Sequence, residues 1–172
     1  MNKNQILSAI QEEHKILKHL FTKVNESDLG FRPAEKMRNT SELLRYISRC
    51  VIETINWYDI LIQNKDKTDA FTKYKDRTDA MKIEAFPSTL NRQYEEVQAI
   101  LHTYSDEDLL QIKVSRIAGT ECPLGEAIVN SSLRFLTAYR MQLFLYLKQN
   151  GRPELNTYNC WAGIDPSAKD AS

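Results

Sequence analysis

Four separate stretches of this chain repeat apolar residues at gaps of three, four and seven, the spacing that puts side chains on one face of an α-helix. Residues 4–24 carry Ile6, Ile10, Leu17, Phe21 and Val24. Residues 39–63 carry Leu43, Ile47, Cys50, Ile55 or Thr54, Trp57 and Leu61. A third stripe runs Met81, Ile83, Phe86, Leu90, Tyr94, Val97, Leu101, Tyr104. The fourth runs Ile128, Leu133 or Ser132, Phe135, Tyr139, Gln142 or Leu143, and Tyr146. Each stripe must be buried against something, and a four-helix bundle hides all four at once. Only five Gly and five Pro occur in 172 residues, too few for the many turns of a β-sandwich. The fold class expected is all-α.

Local signals place the boundaries. Asn39 followed three residues later by Glu42 makes a capping box, so the second helix opens there. Asn25 to Lys36 is a connector with Phe31 tucked under the bundle. At 65–84 the core KDxTDA occurs twice, ten residues apart. One duplication is too little for a repeat array. The first copy reads as an exposed charged connector, and the second starts the third helix with Thr78 as N-cap and Asp79 in its first turn. Pro87 either kinks that helix or marks its true start. Residues 105–109 form a turn or a short helical turn, and Gln111 to Val114 a short extended segment that Gly119 ends. Pro123 opens the last helix and Gly151 closes it, with Pro153 just beyond. Residues 1–153 thus form one bundle with one long crossover connection. Residues 154–172 are a tail that packs on the bundle or trails it, with Tyr158 and Trp161 pinning it across the bundle or a subunit interface.

Charge narrows the function classes. Lys plus Arg and Asp plus Glu both number 23, so no cationic field favours nucleic acid or an anionic membrane. No apolar run approaches the length of a membrane span, and MNKNQ is not the start of a signal peptide. Three scattered cysteines, Cys50, Cys122 and Cys160, fit a reduced cytoplasmic protein. No Walker loop, GxGxxG, HExxH, GxSxG or zinc-knuckle spacing occurs.

Two segments carry a family likeness. FRPAEKMRNTSELLRYISR at 31–49 and AYRMQLFLYLKQNGRPE at 138–154 resemble the second-helix entry and the last helix of the DinB-like (YfiT-like) superfamily of metalloenzymes. The resemblance implies a four-helix bundle, helix-face homodimers and a site of three histidines. One histidine follows a Glu-Leu-Leu-like triplet in the second helix, and two lie four apart in the last. Residues i and i+4 share a helix face, so two imidazoles can converge on one divalent ion while another helix supplies the third. Carried onto this chain the positions are Tyr46, after Glu42-Leu43-Leu44, and Phe135 and Tyr139. None is a histidine. The three histidines present, His14, His19 and His102, lie elsewhere and do not form a pair. The metal expectation is therefore none, and no cofactor is implied.

Tyr46, Cys50, Glu53 and Trp57 share one face of the second helix. Ser131 or Ser132, Phe135, Tyr139 and Gln142 share one of the last. If these faces meet, they form a Tyr/Glu/Gln cluster walled by Phe135 and Trp57, a small ligand pocket with Glu53 as candidate acid or base. The plainer alternative is an aromatic core filling the space of an ion. A buried Glu53 requires a tyrosine hydroxyl or an arginine, Arg49 or Arg140. Cys50 reads as a structural thiol, and His14, on the inner stripe, as a buried histidine with one hydrogen bond. Three functions follow: a small-ligand binding or accessory protein without metal chemistry; a thiol-dependent transferase-like enzyme with a rearranged metal site or a metal-free cleft around Glu53; or a purely structural dimeric bundle.

Overall fold

The structure, a computed structural model, describes residues 1–116 and 119–167. Helix α1 (Lys3–Phe21) starts at Asn2 and α2 (Thr40–Ile62) at Asn39. Both starts are capping boxes. The Asn39 side chain accepts from Glu42 N–H at 2.8 Å, and the Glu42 carboxylate accepts from Asn39 N–H at 2.8 Å, satisfying two helix-end donors. A short helix, α3 (Thr72–Asp79), precedes α4 (Phe86–Leu101). A one-and-a-half-turn helix, α5 (Asp106–Gln111), capped by Ser105, leads into an antiparallel pair, β1 (Lys113–Ser115) and β2 (Glu121–Pro123), in the register Val114↔Cys122. The last rod is α6 (Leu124–Ile128) and α7 (Arg134–Gln149), joined through one π-helical stretch, Val129–Leu133.

Helix α1 packs on α4 and α7, and α2 packs on the same two, so α1 and α2 face each other across the bundle. Paired contacts fix directions. Val51 meets Gln93 and Asp59 meets Tyr104, so α2 and α4 run parallel. Tyr46 meets Tyr139 and Tyr58 meets Ser131, so α7 runs against α2. Parallel neighbours need a connection that returns the full length of a helix. Residues 63–85 provide it, descending α2 from Asn56 (to Ala70 O, 3.4 Å) past Arg49 (to Thr78 Oγ1, 3.1 Å) to Arg45 (to Met81 O, 3.4 Å). This is the expected long crossover, and the fold is all-α apart from the small hairpin.

The crossover differs in detail from the sequence reading. Thr78 is not an N-cap; it lies inside α3, fully buried, its hydroxyl within 3.1 Å of Tyr74 O and Lys75 O. The first KDxTDA copy is not simply an exposed connector, because Ala70 and Tyr74 are buried and α3 begins at Thr72. Ala70, Tyr74 and Thr78 are a stripe of period four, masked by the charges around them. Pro87 falls in the first turn of α4, where its missing N–H costs no hydrogen bond. It marks the start and kinks nothing.

The tail lies on the bundle as far as it is described. Asn159 and Cys160 are buried, and the Trp161 ring sits 4.5 Å from the Arg140 guanidinium. Gly163 adopts φ +63°, and a Cβ there would come within 3.0 Å of the Ile16 backbone, so glycine permits the close approach to α1. Residues 168–172 lie outside the described residues. No helix among the described residues is long and apolar enough to cross a membrane.

Candidate functional site

The structure brings three of the expected side chains into contact. The rings of Tyr46 on α2 and Tyr139 on α7 meet edge to face, 5.0 Å between centroids and 78° between planes. Phe135, one turn earlier on α7, is 6.4 Å from Tyr139. Arg38, from the segment before α2, stacks 3.9 Å from the centre of the Tyr46 ring, and Arg49 lies 5.2 Å from it. Burial, reinforced by Tyr139 and Cys50, raises the Tyr46 phenol well above its ordinary value, so it stays protonated. Phe135 offers no donor atom. A neutral phenol and a benzene ring do not fit a divalent cation, and among the described residues no three His, Cys, Asp or Glu side chains gather as ligands.

Glu53 follows two turns beyond Tyr46 and is buried, only 8 % exposed. Of its two expected partners, Arg49 is the one it meets: Arg49 Nε lies 3.0 Å from Glu53 Oε1. This is an ion pair by distance, with the Nε–H off the hydrogen-bond line. The Arg49 Nη1 donates instead to Thr78 Oγ1 at 3.1 Å and Asp79 Oδ1 at 3.3 Å, tying α2 to α3. Burial pushes the Glu53 carboxyl up to about 7; Arg49 opposes this and Asp79 adds to it. A carboxyl titrating there can both give and take a proton near neutral pH. Arg140 is committed elsewhere, to Glu13 on α1 at 2.6 Å.

The remaining residues separate. Cys50 is buried, its Sγ donating to Ile47 O at 3.7 Å, and its thiol is pushed up to about 12, chiefly by burial. It is no nucleophile at neutral pH. Gln142 donates to the Tyr146 hydroxyl at 2.6 Å, which donates to Arg38 O at 2.9 Å, so it belongs to the anchor of the α2 entry. Trp57 stacks on Phe71 of the crossover at 5.3 Å. The two rings line an apolar groove of about 510 Å³ with Thr54, Tyr58, Leu61, Ser115 and Arg116. A second cleft, of about 360 Å³, opens beside Tyr46 and is lined by Arg38, Glu42, Arg45, Arg49 and Asp79. Its arginines were missed as a group. Arg45 and Arg49 are four apart on one helix face, and Arg38 lies two turns' length before Arg45, a pattern readable from the sequence.

The four-rod bundle, its parallel α2–α4 pair and the returning crossover define an all-α fold of the DinB-like type. No protein-family profile matches the sequence, and no curated protein does. The likeness is structural: a DinB-like protein from Bacillus subtilis, YjoA, known from its crystal structure, matches with a TM-score of 0.62 and 18% identity, over 90% of this chain and 96% of that chain.

Proposed function

We propose that this protein is a DinB-like bundle without the three-histidine metal site, acting as a small-ligand binding or accessory protein, cytoplasmic and homodimeric. The observation that carries the reading is the mutual packing of Tyr46, Tyr139 and Phe135, with Arg38 stacked on Tyr46, at the positions where the family resemblance expects imidazoles. Phe135 has no donor atom and the protonated Tyr46 phenol is a poor ligand for a divalent cation, while the cleft beside them stays open to a small molecule. Elemental analysis of untagged protein tests the first half: less than a tenth of an equivalent of zinc, nickel or manganese is expected, on the order of background. The combined variant Tyr46→His, Phe135→His, Tyr139→His should take up about one equivalent of zinc. A tightly held metal in the unaltered protein, or a folded triple variant that takes up none, would sink the reading.

A second reading, metal-free acid–base chemistry around Glu53, is favoured by one observation: Glu53 is buried 3.0 Å from Arg49, and that burial pushes its carboxyl up to about 7. Under this reading Glu53→Gln abolishes turnover of a substrate that the variant still binds. Under the first, binding alone is measurable.

A further inference from the structure

The cleft beside Tyr46 holds more positive charge than its own carboxylates can absorb. Glu42 is taken twice: by Arg32, whose Nη2 lies 2.9 and 3.0 Å from its two oxygens, and by the Asn39 N–H that it caps. Asp79 is paired with Lys75 and Arg49, and Glu53, buried beside the cleft, faces Arg49. Arg38 is near enough to Glu42 and Glu53 to favour their ionised forms, but neither it nor Arg45 forms an ion pair within 4.0 Å of a carboxylate among the described residues. The polar contact of the Arg45 guanidinium is a 3.4 Å bond to Met81 O, and its buried Nε has no acceptor. Two guanidiniums in the lining of one cleft, with most of their donors unbonded to protein and one of them buried, are open to an anionic ligand.

The guanidiniums are also held in place. The Arg38 guanidinium lies over the Tyr46 ring, 3.9 Å from its centroid, and the stretch of chain that carries it is tied down by the Tyr146 hydroxyl. Arg49 is fixed by Glu53, Thr78 and Asp79. Planar forks held in this way match clustered oxygens in pairs, which a diffuse surface of lysines does not. We propose that the cleft framed by Arg38, Arg45 and Arg49 binds a small dianion whose charge sits on clustered oxygens, the chemistry shared by phosphate monoesters and dicarboxylates. The inference rests on the ligand-binding reading above and names the ligand class for it. Arg38 and Arg45 supply the free forks; Arg49 sets their spacing.

Calorimetric titration of the full chain at low ionic strength, with inorganic phosphate in one arm and succinate in the other, tests it. Saturable binding is expected in at least one arm, and the arm that responds separates phosphate-bearing from dicarboxylate ligands. Arg38→Gln, which lies outside the helices and leaves the core untouched, should weaken that binding by about tenfold or more, and Arg45→Gln likewise. Arg92→Gln, an exposed arginine on α4, should leave it unchanged. Binding in neither arm, or binding equal in Arg38→Gln and the unaltered protein, overturns the proposal. Because no metal enters these measurements, they can fail while the elemental analysis still finds a metal-free protein, and the reverse holds too.

Discussion

Gln93 Nε2 on α4 lies 3.5 Å from His14 Nε2 on α1, with both side chains sealed in the centre of the bundle. The Gln93 amide also enters α2: its oxygen accepts from Val51 and Ile52 N–H at 3.1 and 3.3 Å, and its nitrogen donates to Ile47 O at 3.1 Å. Since that nitrogen is a donor, His14 Nε2 must accept, which requires a neutral imidazole with its proton on Nδ1. Burial, with the positive Lys18 nearby, pulls the His14 pKa down to about 3.

A histidine held neutral makes acid destabilising. The folded value lies below the unfolded 6.5, so the unfolded chain binds the extra proton, and stability is fully present above 6.5 and lost as pH falls toward 3. By pH 4.5 this group alone should have removed roughly 2–3 kcal/mol. His14→Leu should lose that part of the acid sensitivity and leave the opposing contribution of Glu53 alone, so that its urea midpoint rises as pH falls from 6.5 to 4.5. An unchanged slope would mean that His14 is solvated and charged.

Glu53 works in the opposite sense over the same window. Its folded value, about 7, lies above its unfolded 4.5, so its contribution is fully present below 4.5 and lost as pH rises through 7. Between 4.5 and 6.5 the two groups oppose each other, and the unaltered protein should show a shallow pH profile there. Glu53→Gln should remove one side, giving a profile that falls more steeply toward acid and stability equal or higher at pH 8. A Glu53→Gln protein less stable at pH 8 would show that the Arg49 pair outweighs burial.

These relationships mark what was and was not legible in the sequence. The helices and the α2 start were, because their signals are local: Asn39 and Glu42 sit three residues apart, and the apolar stripes repeat within a turn. Helix α3 was not, because its buried residues are only Tyr74 and Thr78, one large ring and one threonine among lysines and aspartates. The contacts at the candidate site divide the same way. That Tyr46 shares a face with Glu53 follows from spacing. That Trp57 turns toward Phe71, and that Gln142 serves Tyr146, depends on where the crossover and the α2 entry settle. The role of Gln93 is not legible at all, since nothing near it in the chain reveals the α2 carbonyl it meets.

Pro87 offers a direct check on the start of α4. In the first turn a proline removes no helical hydrogen bond, so Pro87→Ala should change stability by less than about 1 kcal/mol. A proline kinking the middle of a longer helix would behave otherwise, and alanine there would gain about 3 kcal/mol. Denaturant midpoints of the two proteins decide between these.

Arg140 joins three parts of the molecule. It is 2 % exposed, pairs through Nε with Glu13 Oε2 at 2.6 Å, donates from Nη1 to Cys160 O, and lies under Trp161. Removing one partner leaves a buried charge without compensation, so Arg140→Met should cost about 3–5 kcal/mol, and Glu13→Leu a comparable amount. The double variant Glu13→Leu, Arg140→Met should recover much of that loss, because neither charge is then stranded. The tail separates packing from charge. Arg140→Met removes its carbonyl anchor and the cation under Trp161, so limited proteolysis should cut within residues 154–167 faster than in the unaltered protein. Glu13→Leu leaves the Cys160 contact in place and should speed cleavage less. Equal cleavage in both variants would mean that the ion pair, rather than the guanidinium's hold on Cys160 and Trp161, fastens the tail to the bundle.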